Sequence, residues 1–290
     1  MISIFYCLFF VFTHLAQASG AWYQNFSQVP YPLNPDFDPE FIILKAGIYS
    51  KEGALKWVLD QKDSKNLCSS KREAYAWVTH RLSGNESLSV EAGTKLGANL
   101  KKALANTCFK GIEIDMEPLD AKSAWLPGFL KALKSSLDPA LRLHLAIPAL
   151  SAHKIPGSYW DLSSGVAILE IIDGLDVMLY DTGLASSKDY GALFKNAFFF
   201  AMELVKLGPE KKITLGLPTY KDKTKLHQLN AENLSPIVET LKPFTPFQLK
   251  HYCLGNVRFS YYAGWTLDKT DLTNHRMIKD WKSQVCKKDS

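Results

Sequence analysis

From Phe41 onward, short apolar runs alternate with longer segments whose apolar residues recur at helical spacing. The short runs predict strands at Phe41–Tyr49, Glu73–Thr79, Gly111–Met116, Arg142–Ile147, Leu175–Tyr180, Lys212–Leu217 and Val257–Tyr262. They are rich in Ile, Val, Leu and Tyr, as strands covered on both faces should be. Between them lie helical patterns at Glu52–Gln61, Val90–Asn106, Ala121–Ser136, Ser163–Ile172, Asp189–Leu207, Ala231–Leu241 and Asn274–Cys286. Strand–helix alternation predicts an α/β fold with a parallel sheet. Ala21–Phe26 supplies an eighth strand, so the expected architecture is a compact, single (β/α)₈ TIM-type barrel over residues 19–290, its first unit degenerate for want of a helix. An open doubly wound sheet is the alternative, but no Gly-x-Gly-x-x-Gly turn or phosphate-binding loop follows any strand.

The first 18 residues follow a different pattern. Ile2–Phe12 is almost wholly apolar, and Ala16-Gln17-Ala18 then places small residues where a signal peptidase reads. The run is too short to cross ~30 Å of hydrocarbon comfortably. Cleavage after Ala18 is therefore expected, with a secreted or periplasmic product and no stable membrane insertion. The net charge of +5 is spread over many lysines without a basic block, which argues for a solvated surface and against a nucleic-acid partner. Nothing points to an oligomer, and a monomer is expected. Once Cys7 has left, Cys68, Cys108, Cys253 and Cys286 remain. An even number suits an oxidising compartment, and three pairings are open. Cys68–Cys108 and Cys253–Cys286 are favoured because each closes a local loop. No Cys-x-x-Cys or paired His spacing suggests a metal site. Asn25, Asn85 and Asn233 begin glycosylation sequons.

The chemistry concentrates in Phe109-Lys-Gly-Ile-Glu-Ile-Asp-Met-Glu-Pro118. Side chains alternate faces along a strand, so Glu113, Asp115 and Glu117 share one face while Ile112, Ile114 and Met116 share the other. The apolar face suits packing under helices, which leaves the acidic face to the barrel interior and its mouth. Carboxylates crowded together cannot all ionise easily, and a carboxylic acid kept protonated near neutral pH can protonate a leaving-group oxygen. Glu117 lies at the C-terminal end of the strand, the catalytic face of such barrels. Glycosidases usually flank the scissile bond with two carboxylates, yet Ile213–Tyr220 ends without a Glu, and Asp222 lies beyond it among lysines. Substrate assistance removes that need: the sugar's own N-acetyl oxygen attacks the anomeric carbon, and Asp115 is placed to orient the acetamide.

Gly111–Glu117 resembles the D-x-x-D-x-D-x-E strand of the family 18 glycoside hydrolases, the chitinases and endo-β-N-acetylglucosaminidases. In order along the chain, Leu143–Pro148, Asp176–Asp181, Leu215–Tyr220 and Ser260–Trp265 resemble the family's fifth to eighth strands. The resemblance implies Glu117 as acid and then base, Asp115 as acetamide holder, and Tyr180 as hydrogen-bond partner of the acetamide oxygen. It implies that Glu113, Met178, Asp181 and Tyr220 line the sugar site and that Trp265 forms its floor. The partner implied is a glycan containing N-acetylglucosamine, with no cofactor. Lys110 and Glu113 stand where the family has Asp, and the third strand lacks the family's Ser-x-Gly-Gly turn. A chitinase-like binding protein without turnover is the second reading. Trp77, Trp125 and Trp160 are candidates to extend the cleft.

Overall fold

Strands apolar on both faces need cover on both, and a closed barrel ringed by helices provides it. The computed structural model describes residues 19–24, 37, 39–60, 67, 72–149, 160–208, 210–222, 226–244, 255–262 and 266–286. Its strands are β1 (Ser19–Tyr23), β2 (Phe41–Tyr49), β3 (Leu55–Trp57), β4 (Glu73–Arg81), β5 (Phe109–Glu117), β6 (Arg142–Pro148), β7 (Gly174–Met178), β8 (Lys212–Pro218) and β9 (Val257–Tyr262). All but β3 run parallel in the order β1-β2-β4-β5-β6-β7-β8-β9, and β9 pairs back onto β1 to close the barrel. The helices are α1 (Val90–Leu104), α2 (Leu126–Ser136), α3 (Leu162–Leu169), α4 (Ser187–Leu204), α5 (Leu234–Leu241) and α6 (Lys269–Cys286). Each follows one of the strands β4 to β9 in turn. The expected eight-stranded barrel is therefore the observed one.

Alternation along each strand divides the core in two. Ile112, Ile114, Leu143, Leu145, Leu175, Val177, Ile213 and Leu215 face outward and meet Leu96, Leu100, Phe129, Leu133, Phe194 and Phe198 of the helices. Trp22, Phe41, Ile43, Tyr75, Trp77, Ala146 and Met178 form a separate cluster inside the barrel. The helix ends follow from local chemistry. The side chains of Ser89, Asp161, Ser186 and Asn233 accept N-cap bonds from the first turns of α1, α3, α4 and α5. Asn233 is thus engaged as a cap, whereas Asn85 is exposed in a turn.

The helix expected at Glu52–Gln61 is not formed in its described part. There the chain turns back as a hairpin, and β3 pairs antiparallel with β2 through Gly47↔Trp57 and Tyr49↔Leu55. Gly53, at φ 76°, takes the left-handed conformation this turn needs. A Cβ there would lie 2.2 Å from the Ala92 carbonyl oxygen. The Ser50 N–H donates to the Ala54 carbonyl at 2.9 Å and closes the turn. Period two at Leu55 and Trp57 wins over the apparent helical spacing because β2 runs on past its pairing with β1, which ends at Leu44, and leaves Gly47–Tyr49 an open edge. The stretch after β1 that should lack a helix falls largely outside the described residues, as do residues 1–18, where a leader is expected.

Candidate active site

Register decides which side chains meet at the mouth. Trp77, Thr79 and Arg81 of β4 stand beside Glu113, Asp115 and Glu117 of β5. A cavity of about 460 Å³ opens there, lined by Lys45, Trp77, Thr79, His80, Arg81, Asp115, Glu117, Pro118, Leu119, Pro148 and Met178. A larger one, about 640 Å³, sits on the flank between β3 and the end of α1. It holds one acid, Asp60, and none of the barrel-mouth groups, so the chemistry lies with the smaller.

Depth sorts the three carboxyls of β5. Glu117 is exposed at the rim, Asp115 is 7% exposed and Glu113 is fully buried. Desolvation, then the negative charges of Asp115 and Asp181, push the Glu117 carboxyl up to about 7, with Arg81 opposing. Because Glu117 opens to the mouth, solvent screening moderates that rise. Desolvation also pushes Asp115 up to about 6, against the Trp77 hydrogen bond and the Lys45 charge, which favour its ionised form. The Trp77 Nε1–H donates to Asp115 Oδ2 at 2.9 Å, which fixes that carboxyl beneath Glu117.

Across the mouth, Tyr180 follows β7. Its ring stacks on Tyr262 at 4.5 Å and 13° and meets Tyr220 edge-on at 6.2 Å. Burial, then the neighbouring Tyr262, Asp115 and Glu117, hold its hydroxyl protonated far above its usual range. It can therefore donate a hydrogen bond to a bound acceptor. Tyr220 donates to Asp181 Oδ1 at 2.7 Å, and Asp181 takes a left-handed backbone at φ 54°. The next residue, Thr182, is tied by its N–H at 2.9 Å and by its hydroxyl to the buried Glu232, which in turn bonds His227. His227 stacks on Tyr220 at 4.0 Å. This buried clamp sets the loop that carries Asp181.

Below the mouth lies a second acidic group. Glu113, His144 and Asp176 are each at most 1% exposed. His144 Nδ1 lies 3.0 Å from Asp176 Oδ2, and Gly174 makes room for the ring, since a Cβ there would sit 2.9 Å from Nε2. Burial, then the Asp176 charge, raises the Glu113 carboxyl well above its ordinary range. Burial alone would raise Asp176 too, but Glu113, His144 and Arg258 outweigh it and keep Asp176 ionised. Protonated Glu113 is placed to share its proton with Asp176. The donor atoms of the three lie within 4.8 Å of one another, so among the described residues these are the ones that could hold a cation. The buried Arg258 guanidinium, 4.1 Å from the Phe41 ring, already supplies positive charge there, and His144 Nδ1 is already committed to Asp176.

The structure thus brings Glu117, Asp115, Tyr180, Met178, Asp181 and Tyr220 to the mouth, and sets Glu113 deeper, in the barrel core. Trp265 lies outside the described residues. Trp77, which the sequence offered only as an edge of the cleft, is instead a floor group, edge-on to Trp22 at 5.2 Å. Trp125 packs against Phe129 at the start of α2, and Trp160 is buried, so neither lines the cavity. Lys45, Tyr262, His144 and Arg258 were not read from sequence as site residues. Alternation around β2, β6 and β9 is the signal that could have found them. Cys108 and Cys286 are both disulfide-bonded, and Cys68 and Cys253 lie outside the described residues.

No family model and no curated protein matches the sequence. Solved structures do. A family GH18 chitinase from Chromobacterium violaceum is similar at a TM-score of 0.58 and 14% identity, over 90% of this chain and 83% of that one. A chitinase from Bacteroides thetaiotaomicron is similar at 0.62 and 13%, over 92% and 96%. The spore cortex-lytic enzyme SleL of Bacillus cereus is similar at 0.58 and 14%, over 90% and 74%. Identities this low establish a shared architecture, and the chain accordingly has the barrel fold seen in the family 18 chitinases.

Proposed function

We propose that this chain is a glycoside hydrolase that cleaves the β-1,4 bond next to an N-acetylglucosamine unit by substrate-assisted, retaining catalysis. The observation that carries the reading is the placement of Glu117 on the rim of the cavity with Asp115 directly below it on the same strand face. The two carboxyls lining the cavity belong to one strand and stand two residues apart, so they address one side of a bound sugar. Asp222, just past β8, is exposed. The sugar's acetamide oxygen then serves as nucleophile. Glu117 protonates the leaving oxygen, Asp115 takes the acetamide N–H and stabilises its developing positive charge, and Tyr180 donates to the acetamide oxygen. Water, deprotonated by Glu117, opens the cyclic intermediate from the same face. We propose further that the chain is exported with residues 1–18 removed, and that its cysteines pair as Cys68–Cys108 and Cys253–Cys286.

Hydrolysis of a chromogenic chitobioside, compared with Glu117→Gln, tests the reading. Turnover by the unaltered chain and a loss of about 10²–10⁴-fold in kcat are expected. Sugar binding without turnover in the unaltered chain would instead identify a binding protein.

A further inference from the structure

The two walls of the cavity carry opposite charge. Asp115 and Glu117 come from β5, while Lys45 comes from β2 and His80 and Arg81 from the end of β4. His80 is committed, with Nδ1 at 2.8 Å from the Tyr49 carbonyl and Nε2 at 2.8 Å from Glu86 Oε1. Lys45 and Arg81 are not. Lys45 holds its ammonium 5.3 Å from the Trp77 ring centre. Arg81 is exposed and stands beside Glu117 in the β4–β5 register. Among the described residues neither has an ion-pair partner within 4.0 Å.

Arg81 does the proposed acid no service, because it favours the ionised form of Glu117, whereas a proton donor gains from staying neutral. Lys45 favours ionised Asp115, but it does so without an ion pair, and its ammonium remains available to a ligand. Two unpaired cations in a cleft of a size ordinary for ligands, roughly 300–1,000 Å³, are better matched to charge on what the cleft holds. Arg in particular offers a planar fork suited to carboxylates.

We propose that Lys45 and Arg81 form an anion-recognising wall that takes a carboxylate carried by a sugar next to the N-acetylglucosamine unit, so that the preferred substrate is an acidic rather than a neutral glycan. This rests on the glycan reading above and narrows its substrate class. Two sources present that chemistry: the lactyl ether of a muramic acid residue and the ring carboxylate of a uronic acid.

Binding to Glu117→Gln protein, measured by calorimetry at low salt, separates them. The three ligands are chitotetraose, a tetrasaccharide alternating N-acetylglucosamine with N-acetylmuramic acid, and one alternating N-acetylglucosamine with glucuronic acid. At least one acidic ligand should bind about tenfold or more tighter than chitotetraose, and the tighter of the two names the source. That advantage should shrink at 0.5 M salt, about a 4 Å screening length. It should fall several-fold in Arg81→Gln and in Lys45→Met, each made in the Glu117→Gln background and checked for folding by circular dichroism. Equal affinity for the three ligands, no binding by any, or a preference that survives both substitutions overturns the proposal. Failure of the unaltered chain to hydrolyse both the chitobioside and the acidic tetrasaccharide it binds, with the acidic preference intact, would remove the hydrolase reading and leave the anion wall standing.

Discussion

Glu117 and Glu113 sit four residues apart on the same face of one strand, yet they occupy opposite environments. Glu117 reaches the mouth, has no side-chain hydrogen bond among the described residues, and is tuned by desolvation and by Asp115. Glu113 is sealed in the barrel, where His144, Asp176 and Arg258 surround it. The comparison teaches that residue type sets what a carboxyl can do, while depth sets which of those things it does. At the rim an elevated affinity for protons becomes a reagent. In the core the same elevation holds together a proton-sharing network, because a lone buried carboxylate would be far more costly.

Substitutions at the two depths should therefore fail differently. The largest effect belongs to the rim: Glu117→Gln should lose two to four decades of kcat while its urea midpoint stays near that of the unaltered chain, since the side chain is open to solvent. In the core the loss moves to stability. Asp176→Ala leaves His144 without its bond and leaves Arg258 only its ion pair with Glu73 at 3.8 Å, and urea denaturation should report a loss of about 3–5 kcal/mol. Should Asp176→Ala fold as stably as the unaltered chain, the network has no structural role.

The pH dependence sharpens the contrast. Glu113 has a folded pKa above its unfolded one, so the folded state binds the extra proton and stability falls as pH rises above about 4.5. Glu113→Gln carries that hydrogen permanently. Its stability should decline less between pH 5 and pH 8, and at pH 8 it should equal or exceed that of the unaltered chain. Activity should show a bell. It is limited on the acid side near 6, where Asp115 gains a proton, and on the alkaline side near 7, where Glu117 loses its own, both being apparent values of the pair. The smallest expected effect is at Trp77→Phe. Deleting the N–H that favours ionised Asp115 should raise the acid limb by a few tenths of a unit and lower kcat by up to about tenfold. An unmoved acid limb would mean that the indole only packs.

How much of this was legible beforehand varies by element. The barrel was, because strands buried on both faces leave a hydrophobic signature and because β5 separates Ile112, Ile114 and Met116 from its acids by simple alternation. The segment Glu52–Gln61 has an apolar spacing that suits a helix as well as a hairpin, and the edge that β2 leaves open beyond Leu44 decides between them. His144, Arg258 and Lys45 are marked in the sequence only by the alternation of β6, β9 and β2. In strands apolar on both faces that alternation groups them on one face without saying whether the face meets helices or lumen.

What the sequence determined by itself was local: the face of β5 on which Glu113, Asp115 and Glu117 stand, the caps that start the helices, and the order of strands and helices. The tertiary structure alone decided which strands became neighbours. That placed Trp77 on Asp115, stacked Tyr262 on Tyr180, set Lys45 and Arg81 opposite the acids, and sank Glu113 beside Asp176. The physical reason is that side-chain alternation depends only on the covalent geometry of one strand. Depth and partnership depend on closure, and closure brings together residues separated by most of the chain.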